Sequence, residues 1–220
     1  MQGLFRYDGG FAKLFGKIAD VACLSLLWLI SSIPIITMGA GFCALYSTVY
    51  KVIRFDRAGL WSEYWTSFRQ NFKQATISWL CLLAVYFLIG FSGLNAYALF
   101  EQGKLPTWIL VMLGIVAAFV TMWACCLFPC ISRFYNTLGN IAKNCMIIVL
   151  ANIIPFVGIL VLLVLAIVLM LGVPTGLIFA PVCCTCLGSL ILEKVFRKYM
   201  SEEDIHNEDA ENRGFIGGSQ

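Results

Sequence analysis

From Asn144 to Leu192 the chain carries not one Asp, Glu, Lys or Arg. A hydrocarbon core of about 30 Å takes roughly 20 apolar residues per helical crossing. The run is therefore long enough for two crossings, with a turn at Gly172-Val173-Pro174-Thr175-Gly176. Backbone polar groups placed in lipid must be satisfied within the segment itself, which favours helices. The prediction is an all-α polytopic membrane protein built as one helical domain. Composition agrees: 60% of the residues are hydrophobic and 12% are charged, about half the charged share of an ordinary soluble chain.

The placement of the charges predicts how the segments pair. Arg6, Lys13 and Lys17 precede the first apolar stretch, and Lys51, Arg54, Arg57, Arg69 and Lys73 lie between the first and second. Arg133 and Lys143 flank the next connection and Lys194, Arg197 and Lys198 follow the last stretch, whereas the connection near Glu101 to Pro106 holds only Lys104. Short loops rich in Lys and Arg stay on the cytoplasmic side. A single crossing by residues 18–50 would put the block at 51–73 opposite the basic N-terminal segment, so that stretch is expected to pass twice, turning at Pro34, which cannot continue a helix cleanly. The expected segments are about 18–33, 36–51, 75–99, 106–131, 145–171 and 174–193, paired as three hairpins with both termini cytoplasmic. The first hairpin is short, since 16 helical residues rise only about 24 Å. It is either two short spans in a thinned bilayer or a re-entrant hairpin. The first apolar stretch outlasts a cleavable leader and reads as a retained anchor.

Between Leu60 and Phe72, apolar Leu60, Trp61, Tyr64, Trp65, Phe68 and Phe72 recur at steps of three and four against Glu63, Thr66, Arg69, Gln70 and Lys73. That pattern is an amphipathic helix lying in the headgroup region. Weaker versions precede the first span and follow the fourth. Such basic aromatic collars either anchor helix depth and tilt or dock a partner.

Chemistry is sparse. The sequence holds no carboxylate pair, Ser-His-Asp set, HExxH, phosphate-binding glycine loop or dense nucleic-acid patch. No catalytic residue, cofactor or metal is expected, and no nucleic acid. Asp20 is the ionisable candidate near a span, at its cytoplasmic edge, where it either pairs locally or marks a relay. Asn95 and Asn152 are polar residues within spans, read as interhelical hydrogen-bonding groups or as part of a neutral-solute site. The ten cysteines all fall within or at the ends of apolar spans, where Cys acts as a small packing residue. Cys126 and Cys130 share one helical face, and Cys183 and Cys184 are the residues that could approach them from a neighbouring helix. Proline and glycine breaks at Pro34, Pro155 and Pro174 either shape turns or expose backbone to a substrate, as in transporters.

Leu4-Phe5-Arg6-Tyr7-Asp8-Gly9-Gly10-Phe11, Leu26-Leu27-Trp28-Leu29, Ile33-Pro34-Ile35-Ile36-Thr37-Met38-Gly39-Ala40, Ala44-Leu45-Tyr46 and Ser67-Phe68-Arg69-Gln70-Asn71-Phe72-Lys73-Gln74-Ala75-Thr76 together resemble the YesL-like family of bacterial membrane proteins, a domain of unknown function. The resemblance is dense over about residues 3–80 and continues in length and span pattern to about 200. Gly10 departs from it, standing where the family carries Pro. The resemblance implies a multi-pass protein of the bacterial plasma membrane, of a kind often encoded beside carbohydrate ABC transporters. It supplies no catalytic residues. It also draws attention to Tyr7, Asp8 and Gly9 as a polar turn, to Thr37 and Gly39 at the start of the second helix with Thr37 as its cap, and to Asn71 and Lys73 as the end of the interfacial helix.

Residues 201–220 are acidic, with Glu202, Glu203, Asp204, Glu208, Asp209 and Glu211 ahead of a Gly-rich end, and are expected to be a disordered cytoplasmic tail. Three functions fit this picture. The first is a non-catalytic accessory or assembly partner of a carbohydrate ABC uptake system, working in the bilayer beside a permease or other membrane subunit. The second is a small carrier of a neutral solute. The third is an intramembrane enzyme using Cys or Asp20.

Overall fold

The computed structural model describes residues 10–55, 59–134, 136–172 and 176–216. Among them every regular element is helical: α1 (Gly10–Ser32), a short 3-10 turn (Ile35–Thr37), α2 (Met38–Thr48) prolonged by π-helical turns (Val49–Arg54), α3 (Leu60–Glu101), α4 (Thr107–Arg133), α5 (Leu138–Ala151), α6 (Ile153–Gly172), α7 (Gly176–Phe196) and α8 (Glu202–Ile216). Among the described residues five stretches are long and apolar enough to cross a membrane: Ile35–Arg54, Leu60–Glu101, Thr107–Arg133, Ile153–Gly172 and Phe179–Phe196. Large apolar side chains on α3 and α6, among them Phe87, Phe91, Leu94, Ile154 and Val161, are exposed on the bundle surface. So many exposed apolar groups are consistent with surroundings of lipid.

The 42-residue α3 departs from the expected break at Asn71 and Lys73. Tyr64, Ser67, Ala75, Ser78 and Leu82 are buried in it, and with half-buried Asn71 they form one stripe at steps of three and four. That spacing keeps a single face toward one neighbour. Asn71 does not cap: its Nδ2 donates to the Ser67 carbonyl one turn back at 3.0 Å, and Lys73 points outward on the same unbroken helix.

α2 is the centre of the bundle, buried from Gly39 through Thr48 except for half-buried Phe42, and it packs chiefly on the first half of α3 and on α4. Small residues allow this closeness. A Cβ on Gly39 would lie 2.6 Å from the Ala75 carbonyl oxygen and 2.6 Å from the Trp79 Cβ, so the backbones meet where only glycine fits. Phe42 bridges Trp28, Trp79 and Phe128 with ring centroids 5.5, 5.9 and 5.7 Å apart. Ser31 and Tyr64 share a 2.5 Å hydrogen bond that ties the end of α1 to the start of α3.

Two further expectations are corrected. The segment expected at 145–171 is divided: Asn152 leaves the helical region (φ −134°, ψ 51°) and accepts the role of cap to α5. α5 rises only about 21 Å over its 14 residues, too little for a crossing. α6, with 20 residues, has the length of a full span on its own. The acidic tail is not featureless either, because Glu202–Ile216 forms α8. Ser201 supplies its N-cap, accepting from the Asp204 amide at 3.2 Å, and Glu202, Glu203 and Asp204 in the first turn suit the helix dipole.

Candidate functional site

The residues singled out from the sequence do not assemble into one site. Tyr7, Asp8 and Gly9 lie outside the described residues. Asp20 is exposed on α1. Pro34 adopts extended geometry (φ −75°, ψ 113°) between α1 and the 3-10 turn. Thr37 stands at the N-cap position of α2, yet its hydroxyl makes no cap bond. It donates backwards to the Ser31 carbonyl at 2.6 Å and the Pro34 carbonyl at 2.8 Å, so it closes the Pro34 turn. Asn95 is exposed and donates to the Phe91 carbonyl on its own helix at 2.7 Å. Asn152 donates to the Tyr199 hydroxyl at 2.7 Å, fastening the α5–α6 break to the segment after α7.

What the fold does assemble is a polar cavity of about 860 Å³, lined by residues of α2, α3, the end of α4 and α8. Glu193, on the last turns of α7, is 5% exposed. Leu192, Val195 and Phe196 around it are buried apolar groups, so its carboxylate needs partners to be tolerated there. Tyr46 of α2 donates its hydroxyl to Glu193 Oε1 at 2.6 Å, and Arg133 of α4 forms an ion pair with Glu193 Oε2 through Nη1. The other guanidinium nitrogen pairs with Glu208 of α8 at 2.6 Å. Arg133 also lies over the Tyr50 ring, 5.0 Å from its centroid. One side chain thus joins α2, α7 and α8 to the end of α4. Across the cavity Glu63 of α3 accepts from Lys51 and from Ser47, both at 2.8 Å.

Behind this cluster lies a second cavity of about 260 Å³, lined by Tyr86, Thr121, Cys125, Thr185, Ser189 and a majority of apolar groups. Tyr46 lines both cavities, so this side chain, bonded to Glu193 through its hydroxyl, stands at the boundary between a charged chamber and an apolar one. The opposed partial charges and the two-chamber geometry suit binding. In this cluster Glu193 is engaged by Arg133 and Tyr46, and Glu63 by Lys51 and Ser47.

This network escaped the sequence reading because its members look like ordinary topological charges. Arg133 and Glu193 each terminate a long apolar run, and a helix-end charge in lipid usually marks an interface. The available signal was their pairing: opposite charges at the ends of two spans expected on the same side, with Tyr46, Ser47 and Thr48 closing an otherwise apolar α2. The cysteine expectation also shifts, since Cys126 and Cys130 meet Cys145 of α5, not Cys183 or Cys184.

Among known proteins, residues 21–92 match the family described as protein of unknown function, DUF624. That stretch covers α1 from Val21, all of α2 and α3 as far as Ser92, and so includes Tyr46, Glu63 and the α2–α3 packing but neither Arg133 nor Glu193. No curated protein and no solved structure matches the chain.

Proposed function

We propose that this chain is a non-catalytic integral membrane protein of the bacterial plasma membrane, of the YesL-like kind, acting as an accessory or assembly partner of a carbohydrate ABC uptake system. Both termini face the cytoplasm in this reading, as the distribution of Lys and Arg favours. The observation that carries the non-catalytic part is the engagement of the charged groups: Glu193 is held by Arg133 and Tyr46, and Glu63 by Lys51 and Ser47. Groups locked in mutual pairs hold helices together and are poorly placed to exchange protons with a substrate. The partner role is supported by the sequence resemblance and by the outer face of the first half of α3, where Trp61 is 62% exposed and Arg69 and Lys73 are exposed too. Purification from its native membrane in mild detergent tests this reading. Recovery of a permease or solute-binding subunit at fixed stoichiometry is expected, with Trp61→Ala and Arg69→Ala reducing recovery of the partner but not of the protein. Recovery of the chain alone would refute it.

The two adjoining cavities favour a second reading, a carrier of a neutral solute. Tyr46 would then sit on the route between the chambers. Flux of a sugar or polyol into liposomes containing the purified protein alone, abolished by filling the inner cavity with Ser189→Phe, would establish this in place of the first.

A further inference from the structure

Three thiols converge where α4 and α5 cross. Cys126 and Cys130 lie one turn apart on α4, their sulfurs separated by 3.9 Å. Cys145 reaches them from α5, and the three Sγ atoms all lie within 4.8 Å of one another. Their side chains are 0%, 4% and 0% exposed. Each cysteine taken singly is explained as a small residue at a helix contact. Packing does not require three sulfurs from two helices to face one point, and the flanking arrangement holds them there. Trp123 donates its indole N–H to the Ala142 carbonyl at 3.2 Å, and Ile141, Ile148 and Val149 bury the same face of α5.

We propose that Cys126, Cys130 and Cys145 form a trigonal three-thiolate site for a soft metal ion, Cu(I). Sulfur at about 2.3 Å from a central ion in a three-coordinate plane gives sulfur–sulfur edges of about 4 Å, close to the spacing already present. Thiolate ligands select soft ions. Zinc takes four ligands or three and a water, and among the described residues neither His nor carboxylate joins this group, while its burial keeps water away. A three-coordinate soft ion needs neither. Binding forms three copper–sulfur bonds and breaks three S–H bonds, the three protons leaving to the bulk solution as the ion enters. Copper enters and remains cuprous, so no electron is transferred. Such a site would clamp α5 to α4, making the α4–α5–α6 connection responsive to copper.

The test uses the full chain in mild detergent under anaerobic, reducing conditions, titrated with Cu(I) from a competing chelator. One Cu(I) per chain is expected, with X-ray absorption showing three sulfur neighbours at about 2.3 Å. Cys126→Ser, Cys130→Ser and Cys145→Ser should each weaken binding by about tenfold or more, whereas Cys23→Ser and Cys81→Ser, at exposed positions, should leave it unchanged. Absence of bound copper, affinity in the serine variants equal to that of the unsubstituted protein, fewer than three sulfur neighbours, or tighter binding of Zn(II) than Cu(I) would each overturn the assignment. Should a serine variant fail to fold, the sulfur count of the unsubstituted protein still decides.

Discussion

Replacing Arg133 by Met probes the ion network most sharply. The substitution keeps much of the apolar stem but takes the guanidinium away from two carboxylates, Glu193 and Glu208, whose side chains are 7% and 12% exposed. Removing one partner of a buried pair costs about 3–5 kcal/mol, because the remaining charge is left desolvated and unmatched. For a chain of this size each kcal/mol corresponds to roughly 2–4 °C in midpoint, so the detergent-solubilised protein should melt about 6–20 °C lower. Adding Glu193→Gln to Arg133→Met removes the nearer stranded charge while leaving Tyr46 an acceptor, and should recover at least half of the loss. Arg197→Met serves as the reference, since its pair with Asp209 has side chains 42% and 38% exposed and should be worth less than about 1 kcal/mol. The assay is thermal unfolding followed by circular dichroism at fixed detergent and lipid. If Arg133→Met and Arg197→Met shift the midpoint equally, or if the double variant is no better than the single, the guanidinium is not the tie between these helices.

Other substitutions test separate contacts. Gly39→Ala drives a methyl into the Ala75 carbonyl and the Trp79 Cβ and should cost about 1–3 kcal/mol, read as a lower unfolding midpoint with the same helix content. Glu208→Gln weakens a charge-assisted bond of about 1.5–3 kcal/mol, so amide exchange across α8 should rise about tenfold or more while α4 and α7 stay protected. Tyr64→Phe removes the 2.5 Å bond between α1 and α3. With Tyr64 fully buried, Ser31 loses its bond to α3, and stability should fall by about 1–2 kcal/mol in the same melting assay.

Much of the helical plan was legible because the apolar runs are long and the charges sit between them. The Pro34 turn and the apolar stretches that became α4, α6 and α7 could be read from hydropathy and one proline. The continuity of α3 could not: polar Asn71 and Lys73 suggest an end, and only the partner helix reveals that Ser67, Ala75 and Ser78 share a buried face with Asn71. The break at Asn152 was masked by the uncharged run around it, since hydropathy does not distinguish one long helix from two joined at an angle. The acidic segment looked unfoldable alone, and its helix is docked through a contact made by Glu208 to a residue 75 positions earlier. For the same reason the Arg133–Glu193 cluster and the approach of Cys145 were invisible. They are products of tertiary pairing, while the sequence reports each residue against its own neighbours.

The length of α3 has a mechanical consequence. Its 42 residues extend about 63 Å, roughly twice the hydrocarbon thickness, without an interior proline. Torque applied near Trp61 by anything gripping that end must swing the Phe100 end as well, in the opposite sense about the fulcrum where Gly39 presses on Ala75. The helix would therefore act as a stiff lever, converting a small displacement at one membrane face into a tilt felt at the other.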